Sequence, residues 1–392
     1  MIFSQEEEKN DLQTKTINIV TPHYAPEITA AAHRMQAMVK TISEQYFVNV
    51  IALTERGKVA EQKHITISDR VQVHYIDLPL YNKANFITRA RYEFVYAVKM
   101  AKMSRALNPD VIIATSPFMF VIPAVGIHGG QAKKIIDVRD LVWCYLPDKS
   151  FIQKVVKNFF TFIAEYYIKR YDHITVTNPI EKQHLKTIYP ENKITIVSNG
   201  IDEDKFKILS TLNFKRTSGR FNITYIGNIG TAQNMISLIN AAKEIPSVQV
   251  TMIGEGNDLD HLKSYVKVKS IVNVAFTGKL NWEELMPYYQ SSDALYAKLE
   301  PNYSFAVPSK LYEYLSTGLP VIYSGVGEAV KLLHQFENVI TVDPLDDHKL
   351  KEAILRISSQ RSDISERNKN SIKEKYIREN INRSFFTIFN QL

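Results

Sequence analysis

The 392-residue chain carries a formal net charge of +7, with 45% hydrophobic and 23% charged residues. Its length predicts two domains, and its composition is that of an ordinary globular protein. No run approaches the ~18 uncharged apolar residues of a membrane span. The first fifteen residues are polar and acidic, unlike a signal peptide, and the single cysteine, Cys144, cannot form an internal disulfide. These features argue against membrane-spanning and disulfide-rich secreted classes and predict a cytoplasmic location.

The positive charge is concentrated in the first half of the chain. Residues 1–200 contain 25 Lys or Arg and 19 Asp or Glu, which leaves a net charge of +1 for the remainder. Residues 81–109 and 149–170 interleave these cations with aromatic side chains. Such segments either lie on an anionic membrane surface, bind nucleic acid, or form core helices with a solvated basic face. The sequence favours the core-helix and membrane interpretations, and no nucleic acid partner is expected.

Short apolar segments alternate with amphipathic stretches, a pattern that predicts α/β domains with doubly wound parallel sheets. The strands predicted in the first half are 16–22, 48–53, 71–76, 111–115, 134–138, 174–176 and 194–197, with a helix at about 30–45. Apolar periodicity is lost at 202–220, which we predict to be the linker. The second half then has predicted strands at 221–226, 248–253, 273–276, 294–296, 321–323 and 339–342, and helices at 346–359, 363–375 and 378–390.

One helix start in the second half combines two charged side chains. A loop leads into Pro308-Ser309, and the helix then carries Lys310 and Glu313 before it ends at Gly318. Residues three apart share a helix face, and the free amides of a first turn attract anions. A lysine there suits a diphosphate, and a carboxylate suits ribose hydroxyls. An ordinary surface ion pair remains the alternative for these two residues taken alone.

The whole string at 308–322, Pro-Ser-Lys-Leu-Tyr-Glu-Tyr-Leu-x-x-Gly-x-Pro-Val-Ile, closely resembles the donor-binding signature of family-4 retaining glycosyltransferases with the GT-B fold. The resemblance covers nearly the whole chain after Ile17 and implies two Rossmann-like domains facing across a cleft. It divides the chain into a polar tail at 1–15, an acceptor-side domain at 16–205, a nucleotide-sugar-binding domain at 206–375, and a C-terminal helix at 376–392 that packs back on the first domain.

The chain departs from that family at Phe305. The usual signature has two glutamates separated by seven residues. The second aligns with Glu313, whereas Phe305 stands at the position of the first and cannot hydrogen-bond a sugar. Either the protein belongs to a branch that uses Pro-Ser-Lys instead, or it is inactive. The resemblance still assigns donor contacts to the backbone of Ala306 and Val307 and to Ser309.

The remaining donor residues lie in turns that follow predicted strands. The turn with Gly227, Asn228, Gly230 and Gln233 resembles the family's diphosphate-binding loop, although many relatives have an arginine and a lysine where Asn228 and Gln233 stand. Lys310 is therefore expected to be the principal cation on the phosphates. Two later turns complete the assignment and contain Gly254, Glu255, Lys279 and Leu280. Tight turns alone would also explain these glycines.

Two segments of the first half resemble the family's acceptor side. The loop and helix start at 22–34 supply Glu27, Thr29 and Arg34. The strand end at 135–143 supplies the polar cluster of Asp137, Arg139, Asp140 and Trp143, at the sheet edge where open α/β sheets place their ligands. This cluster resembles a subgroup that acts in bacterial O-antigen and capsule assembly. A salt-bridged strand end is the alternative.

The resemblance implies a retaining hexosyltransferase or N-acetylhexosaminyltransferase in which Lys310, Glu313, Arg139 and Asp140 are the catalytic candidates. Its donor would be a nucleoside diphosphate sugar, with a UDP-sugar expected. Its acceptor would be a saccharide, and a polyprenyl-linked one fits the basic aromatic segments. No metal site or cofactor is expected, because the histidines lack ligand spacing. The alternatives are a sugar-nucleotide epimerase and an inactive sugar-nucleotide-binding protein. A nicotinamide-dependent dehydrogenase is disfavoured, since 22–31 lacks Gly-x-Gly-x-x-Gly.

Overall fold

The computed structural model describes residues 15–27, 29–55, 64–81, 85–215, 219–360 and 363–392. The strands of the first sheet are β1 Thr16–Thr21, β2 Phe47–Glu55, β3 His64–Ser68, β4 Val71–Leu78, β5 Val111–Thr115, β6 Lys133–Val138, β7 His173–Val176 and β8 Ile194–Ile196. The helices that accompany them are α1 Ala30–Ile42, α2 Phe86–Ala106, α3 Val121–His128, α4 Phe151–Ile168 and α5 Pro179–Leu185. The sheet order is β3-β4-β2-β1-β5-β6-β7-β8, and all pairings are parallel except β3 with β4.

The second domain has a six-stranded parallel sheet. Its strands are β9 Phe221–Ile226, β10 Val248–Ile253, β11 Val274–Gly278, β12 Ala294–Lys298, β13 Val321–Ser324 and β14 Val339–Val342. Its helices are α6 Glu203–Ser210, α7 Ile236–Lys243, α8 Leu259–Val268, α9 Trp282–Ser291, α10 Lys310–Thr317, α11 Glu328–Leu333, α12 Asp347–Gln360 and α13 Glu366–Lys375. The order β11-β10-β9-β12-β13-β14 places β9 and β12 at the centre.

Continuous apolar sequence explains why the central strands pair in parallel. All five residues of β5, Val-Ile-Ile-Ala-Thr, are buried, as expected for a strand covered by helices on both faces. Separate apolar clusters cover the two faces of the first sheet and the two faces of the second. The predicted fold class, two α/β domains with parallel sheets, is confirmed.

The chain returns to the first domain at its C-terminal end. Helices α14 Arg378–Asn382 and α15 Ser384–Gln391 follow the second domain, and the side chains of Phe385, Ile388 and Phe389 are buried in the same cluster as Ile17. Ile201 forms a β-bridge with Ile377, so the outgoing and returning chain segments run side by side. The first domain is therefore assembled from two separated parts of the sequence.

Three elements differ from the sequence prediction. The predicted linker contains α6, whose Phe206 and Leu209 are buried; a helix of two turns is too short for its periodicity to stand out. Strand β3 was not predicted, since it is an exposed antiparallel edge strand without a buried face. The helix predicted at 378–390 is two helices, α14 and α15, separated at Arg383. None of the helices in the described part of the chain is both long and apolar enough to cross a bilayer.

Candidate active site

A cavity of about 290 Å³ lies between the carboxyl ends of the two sheets, and we call it the interdomain cavity. Arg139 and Thr177 follow β6 and β7 of the first domain, while Gly227 and Leu299 follow β9 and β12 of the second. Ligands of open α/β sheets bind at such edges. Nine residues predicted from the sequence line this cavity: Arg139, Asp140, Gly227, Asn228, Gln233, Ala306, Val307, Ser309 and Lys310.

Helix α10 presents Lys310 to the interdomain cavity. Ser309 precedes the first helical residue, and Gly318 ends the helix in the left-handed conformation, at φ 72°, that glycine adopts without strain. The Tyr314 hydroxyl accepts from Ile226 N at 2.8 Å, which holds the helix against the end of β9. Since β9 continues into the turn at Gly227, this bond fixes the distance between Lys310 and that turn.

Glu313 lies one turn further along α10, below Lys310 rather than in the cavity lining. Its carboxylate accepts from Lys310 Nζ at 2.6 Å and from the Tyr289 hydroxyl at 3.1 Å. Burial opposes ionisation of Glu313, but Lys310, Lys205 and the two hydrogen bonds together outweigh burial and lower its pKa. The group is therefore a carboxylate at neutral pH, and its charge is balanced by Lys310.

The turn after β9 has two amides already used and two available. Gly227 N donates to Ile253 O at 2.9 Å and Ile229 N donates to Glu255 O at 2.8 Å. Within the described chain, the amides of Asn228 and Gly230 have no protein acceptor. Helix α7 begins only at Ile236, so its first amides lie beyond this turn. Available amides in a tight turn form an anion-binding concavity.

The neighbouring turns support this one without lining the cavity. A Cβ on Gly254, whose φ is 147°, would lie 1.8 Å from Gly227 O, so only glycine allows β10 to approach so closely. Glu255 supports the turn through its carbonyl oxygen, while its side chain is exposed. Lys279 is also exposed, and Leu280 packs on the core of the second domain. These residues, with Gly230, are not among the residues that line the cavity.

The loop before α10 contacts the first domain. Asn178 Nδ2 donates to Phe305 O at 2.9 Å, and the Phe305 ring lies 6.0 Å from the Tyr145 ring, centroid to centroid. Ala306 N donates to Tyr303 O at 3.0 Å, so this amide is not available to a ligand. The Phe305 residue is not part of the cavity lining. Its apolar side chain therefore joins the domains without filling the interdomain cavity.

Two arginines of the first domain converge on Asn199. Its Oδ1 accepts from Arg34 Nη1 at 3.0 Å and from Arg139 Nη2 at 3.1 Å. Burial and the neighbouring Arg34 lower the pKa of Arg139, whose Nε is buried with no partner in the described chain. Burial raises the pKa of Asp140, while Arg139 and Arg34 act in the opposite direction. Arg139 thus carries an unpaired donor on the first-domain side of the cavity.

Three predicted acceptor residues belong to the interior of the first domain instead. Arg34 Nη2 donates to Asp137 Oδ1 at 3.1 Å, both side chains are buried, and Thr175 also donates to Asp137, at 2.7 Å. Trp143 is fully buried. We correct these assignments because a buried, internally paired side chain or a core ring presents no atom to an acceptor. Sequence reasoning placed Asp137 and Trp143 at the end of β6 and Arg34 near the start of α1, but it did not predict the orientation of their side chains.

The other two acceptor-side residues lie at the start of α1. Thr29 Oγ1 accepts from Ala32 N at 3.2 Å and caps the helix. Glu27 accepts from His23 Nδ1 at 2.9 Å, and both side chains are about one third exposed. These residues are not part of the interdomain cavity lining. Their assignment to the acceptor stays a prediction.

Sequence reasoning missed several residues that line the cavity: Thr177, Asn199, Tyr225, Lys298, Leu299 and Tyr314. Lys298 is the most unusual, because its side chain is completely buried, with Nζ 3.1 Å from Ser237 Oγ and 3.5 Å from Glu300 Oε1. Burial lowers its pKa, and Glu300 opposes that effect. Thr177, Asn199 and Lys298 are at or just beyond the carboxyl ends of predicted strands, and that position was the signal available in the sequence.

Family models match both halves of the chain. The model described as Glycosyltransferase Family 4 matches residues 31–205, and the model described as Glycosyl transferases group 1 matches residues 212–377. The chain is a glycosyltransferase of the family-4 type. Among curated proteins, no sequence matches the glycosyltransferase significantly.

Solved GT-B structures share the fold of the glycosyltransferase at low sequence identity. Sucrose-phosphate synthase from Thermosynechococcus elongatus superimposes with a TM-score of 0.76 at 16% identity, covering 96% of this chain and 98% of its own. A structure from E. coli described as trehalose-6-phosphate bound with UDP-2-fluoro glucose gives 0.74 at 10% identity, with 96% and 99% covered. Anabaena HepE in complex with UDP gives 0.69 at 14%, with 97% and 100% covered.

A second cavity of about 400 Å³ shares Thr177 and Val307 with the interdomain cavity. Its charged lining residues are Glu328 and Lys331, which pair with each other at 2.7 Å. It lacks the glycine turn and the α10 lysine. In the described part of the glycosyltransferase, no group of three or more His, Cys, Asp or Glu side chains is placed to hold a metal ion.

Proposed function

We propose that the glycosyltransferase moves a sugar from a nucleoside diphosphate sugar, specifically a UDP-sugar, to an acceptor hydroxyl with retention of the anomeric configuration. One observation carries this proposal. A single cavity combines the Lys310 ammonium group, the available amide of Asn228 in the turn after β9 and, from the other domain, Arg139 and Asp140. Cationic and amide donors on one wall suit a diphosphate, and the polar groups on the opposite wall suit a sugar.

In the proposed reaction the bond from the anomeric carbon to the β-phosphate oxygen breaks, and the acceptor oxygen bonds to the same face of that carbon. The leaving diphosphate receives the acceptor's proton. Negative charge therefore grows on the phosphate as the bond breaks, where Lys310 and the amide of Asn228 would stabilise it. Glu313 would accept hydrogen bonds from the ribose once ligand binding draws Lys310 away from it.

The proposal that the donor nucleotide is a uridine nucleotide is supported by a structural relative. Anabaena HepE is described in complexes with UDP, with UDP and glucose, and with UDP-glucose. Hexosyl and N-acetylhexosaminyl groups are the proposed donor sugars. The backbone of Leu280, in the turn after β11, is the proposed contact for the base edge, together with Lys279.

We propose a saccharide acceptor on the side of the first domain, near Arg139, Asp140 and Glu27. The excess positive charge of residues 1–200 supports an acceptor linked to a polyprenyl lipid at an anionic membrane. The Asp-x-Arg-Asp-Leu-x-Trp string at 137–143 supports a role in cell-surface polysaccharide assembly of the O-antigen or capsule kind. An epimerase is disfavoured, since Asp140 is the sole carboxylate among the described residues that line the interdomain cavity.

Calorimetry and donor hydrolysis test the proposal. UDP should bind more tightly than uridine, because the cavity offers its cation and amides to the diphosphate, and GDP and ADP should bind more weakly than UDP. A panel of UDP-sugars should then show slow hydrolysis of the correct donor, unaffected by EDTA because no metal participates. If no nucleoside diphosphate binds, the donor assignment is wrong. If UDP-sugars bind but none is hydrolysed or transferred, the protein is an inactive binder.

A further inference from the structure

Helix α4 has an apolar face that no described part of the chain covers, and we call it the α4 apolar face. It consists of Phe151, Ile152, Val155, Phe159, Phe162 and Tyr166, whose exposed fractions range from 49% to 82%. Large exposed apolar side chains are common singly on protein surfaces, but a contiguous group marks an interaction site. Six of them on one helix of 18 residues therefore require an explanation.

The exposed side chains form one stripe along the helix. Phe151, Val155, Phe159, Phe162 and Tyr166 are spaced by four, four, three and four residues, which places them on a single face. The buried residues of α4 are Phe160, Ala164 and Ile168, which face the opposite side and pack on the first domain. A helix that is apolar on both sides needs a partner on each side, and the described residues supply a partner for only one of them.

A row of aromatic rings connects the stripe to α2, and it starts where Phe159 of the stripe lies 5.7 Å from the ring of the buried Phe160. Phe160 lies 5.7 Å from the ring of Phe120, and Phe120 lies 5.7 Å from the ring of Phe94 on α2, which is itself exposed. Residues 149–170 also carry five cations and only one carboxylate, Glu165. Four of these cations are exposed: Lys149, Lys154, Lys169 and Arg170. An apolar stripe flanked by cations has the chemistry of a helix that lies in a membrane interface.

We infer that the α4 apolar face lies at the boundary between headgroups and acyl chains of an anionic bilayer, with α4 parallel to the membrane plane. The stripe enters the acyl region, and the flanking cations contact anionic headgroups. The inference rests on the proposed function only for the lipid-linked acceptor, which such a position would bring to the first domain. It goes beyond electrostatic attraction, because buried apolar area holds the protein when salt screens the charges.

Charge favours a bilayer over a second copy of the chain as the occupant. A two-fold symmetric contact on this face would bring equivalent cations of two chains towards each other. Like charges across an interface oppose association, whereas anionic lipids neutralise them. Self-association through this face is therefore the outcome that the experiment must distinguish.

The test is vesicle flotation of the full chain with phosphatidylglycerol/phosphatidylcholine liposomes. The wild-type protein should float at low salt and keep a bound fraction at ~1 M salt, where the Debye length is about 3 Å. Phe159→Ser with Phe162→Ser should lower partitioning at high salt by roughly tenfold or more, because two large apolar groups no longer enter the bilayer. Lys154→Gln with Lys169→Gln should instead weaken binding mainly at low salt and with anionic lipid.

Val268→Ser with Val272→Ser is the matched control, since both valines are strongly exposed but lie on the second domain. Folding and UDP affinity should be unchanged in every variant, so a failure of UDP binding in wild type would count against the proposed function and not against this face. Flotation of the Phe159/Phe162 variant equal to wild type at high salt would overturn the inference. The inference would also be overturned if the wild-type protein did not float and instead formed a dimer that the Phe159 and Phe162 substitutions dissociate.

Discussion

At the residue scale, Lys310 is placed so that its ammonium group can stabilise the charge of the proposed diphosphate. It lines the interdomain cavity and is about a third exposed, whereas Lys298 on the same cavity is completely buried. Lys310→Ala should lower kcat/KM by about 10²-fold or more, because a preorganised cation is lost where charge develops. Lys349→Ala is the control, since Lys349 forms a similar pair with Asp346 at the start of α12. Near-normal turnover and UDP affinity in Lys310→Ala would refute the phosphate assignment.

Glu313 tests the ribose assignment separately. Glu313→Gln keeps the shape of the side chain and removes its charge, so the affinity for UDP should fall by roughly 1–3 kcal/mol with the charged hydrogen bond. Uridine, which has the ribose but no phosphate, should lose affinity to a similar extent. Calorimetry with both ligands measures this. If neither affinity changes, Glu313 serves only as the partner of Lys310 and Tyr289.

At the scale of the element, the start of α5 holds a buried carboxyl group that the proposed chemistry does not use. Glu181 Oε2 accepts from Thr177 N and Oγ1, each at 2.8 Å, while Oε1 has no partner in the described chain. Burial raises its pKa to about 8, although the Thr177 bonds act in the opposite direction. In the folded protein the Glu181 carboxyl therefore keeps a proton that it releases in the unfolded chain above the ordinary glutamate pKa of about 4.3.

Stability should consequently decrease as the pH rises from about 4.3 through 8, because the folded state binds more protons in that range. Glu181→Gln cannot ionise and should remove this contribution. The free energy of unfolding of Glu181→Gln minus that of wild type should be more positive at pH 8 than at pH 5, by about 1 kcal/mol or more. Urea unfolding at both pH values measures the difference, with the exposed Glu191→Gln as the control. An identical pH dependence in Glu181→Gln and wild type would contradict the buried, protonated carboxyl.

The same scale shows which structural features can be predicted from a sequence pattern. The buried parallel strands and the α10 helix start were predictable, because apolar runs and a Pro-Ser-Lys start act locally. The contacts of Asn199 were not predictable, since they involve two arginines that are 165 and 60 residues away in the sequence. The burial of Arg34, Asp137 and Trp143 was likewise invisible. Asp137 and Trp143 lie at or beyond the end of β6 and Arg34 lies in α1, and only the packing of α1 and β7 against β6 turns their side chains into the interior.

At the scale of the whole molecule, α15 completes the first domain from the far end of the chain. Phe389 is buried, and its ring lies 5.2 Å from the ring of Tyr46. Phe389→Ala should reduce the free energy of unfolding of the first domain by about 3–5 kcal/mol, through lost burial and the cavity left behind. Urea unfolding should show this, with the exposed Thr387→Ala of the same helix as the control. Equal midpoints for the two variants would show that α15 is dispensable.

The return of the chain also sets an order of events during synthesis. Domains generally fold as they emerge, the first before the second. Here the first domain lacks Phe385, Ile388 and Phe389 until the entire second domain has left the ribosome. The second domain, whose ends meet where Ile201 pairs with Ile377, has all its parts earlier. The nascent glycosyltransferase should therefore finish its second domain before its first, and the groove awaiting α15 stays open to chaperones during that interval.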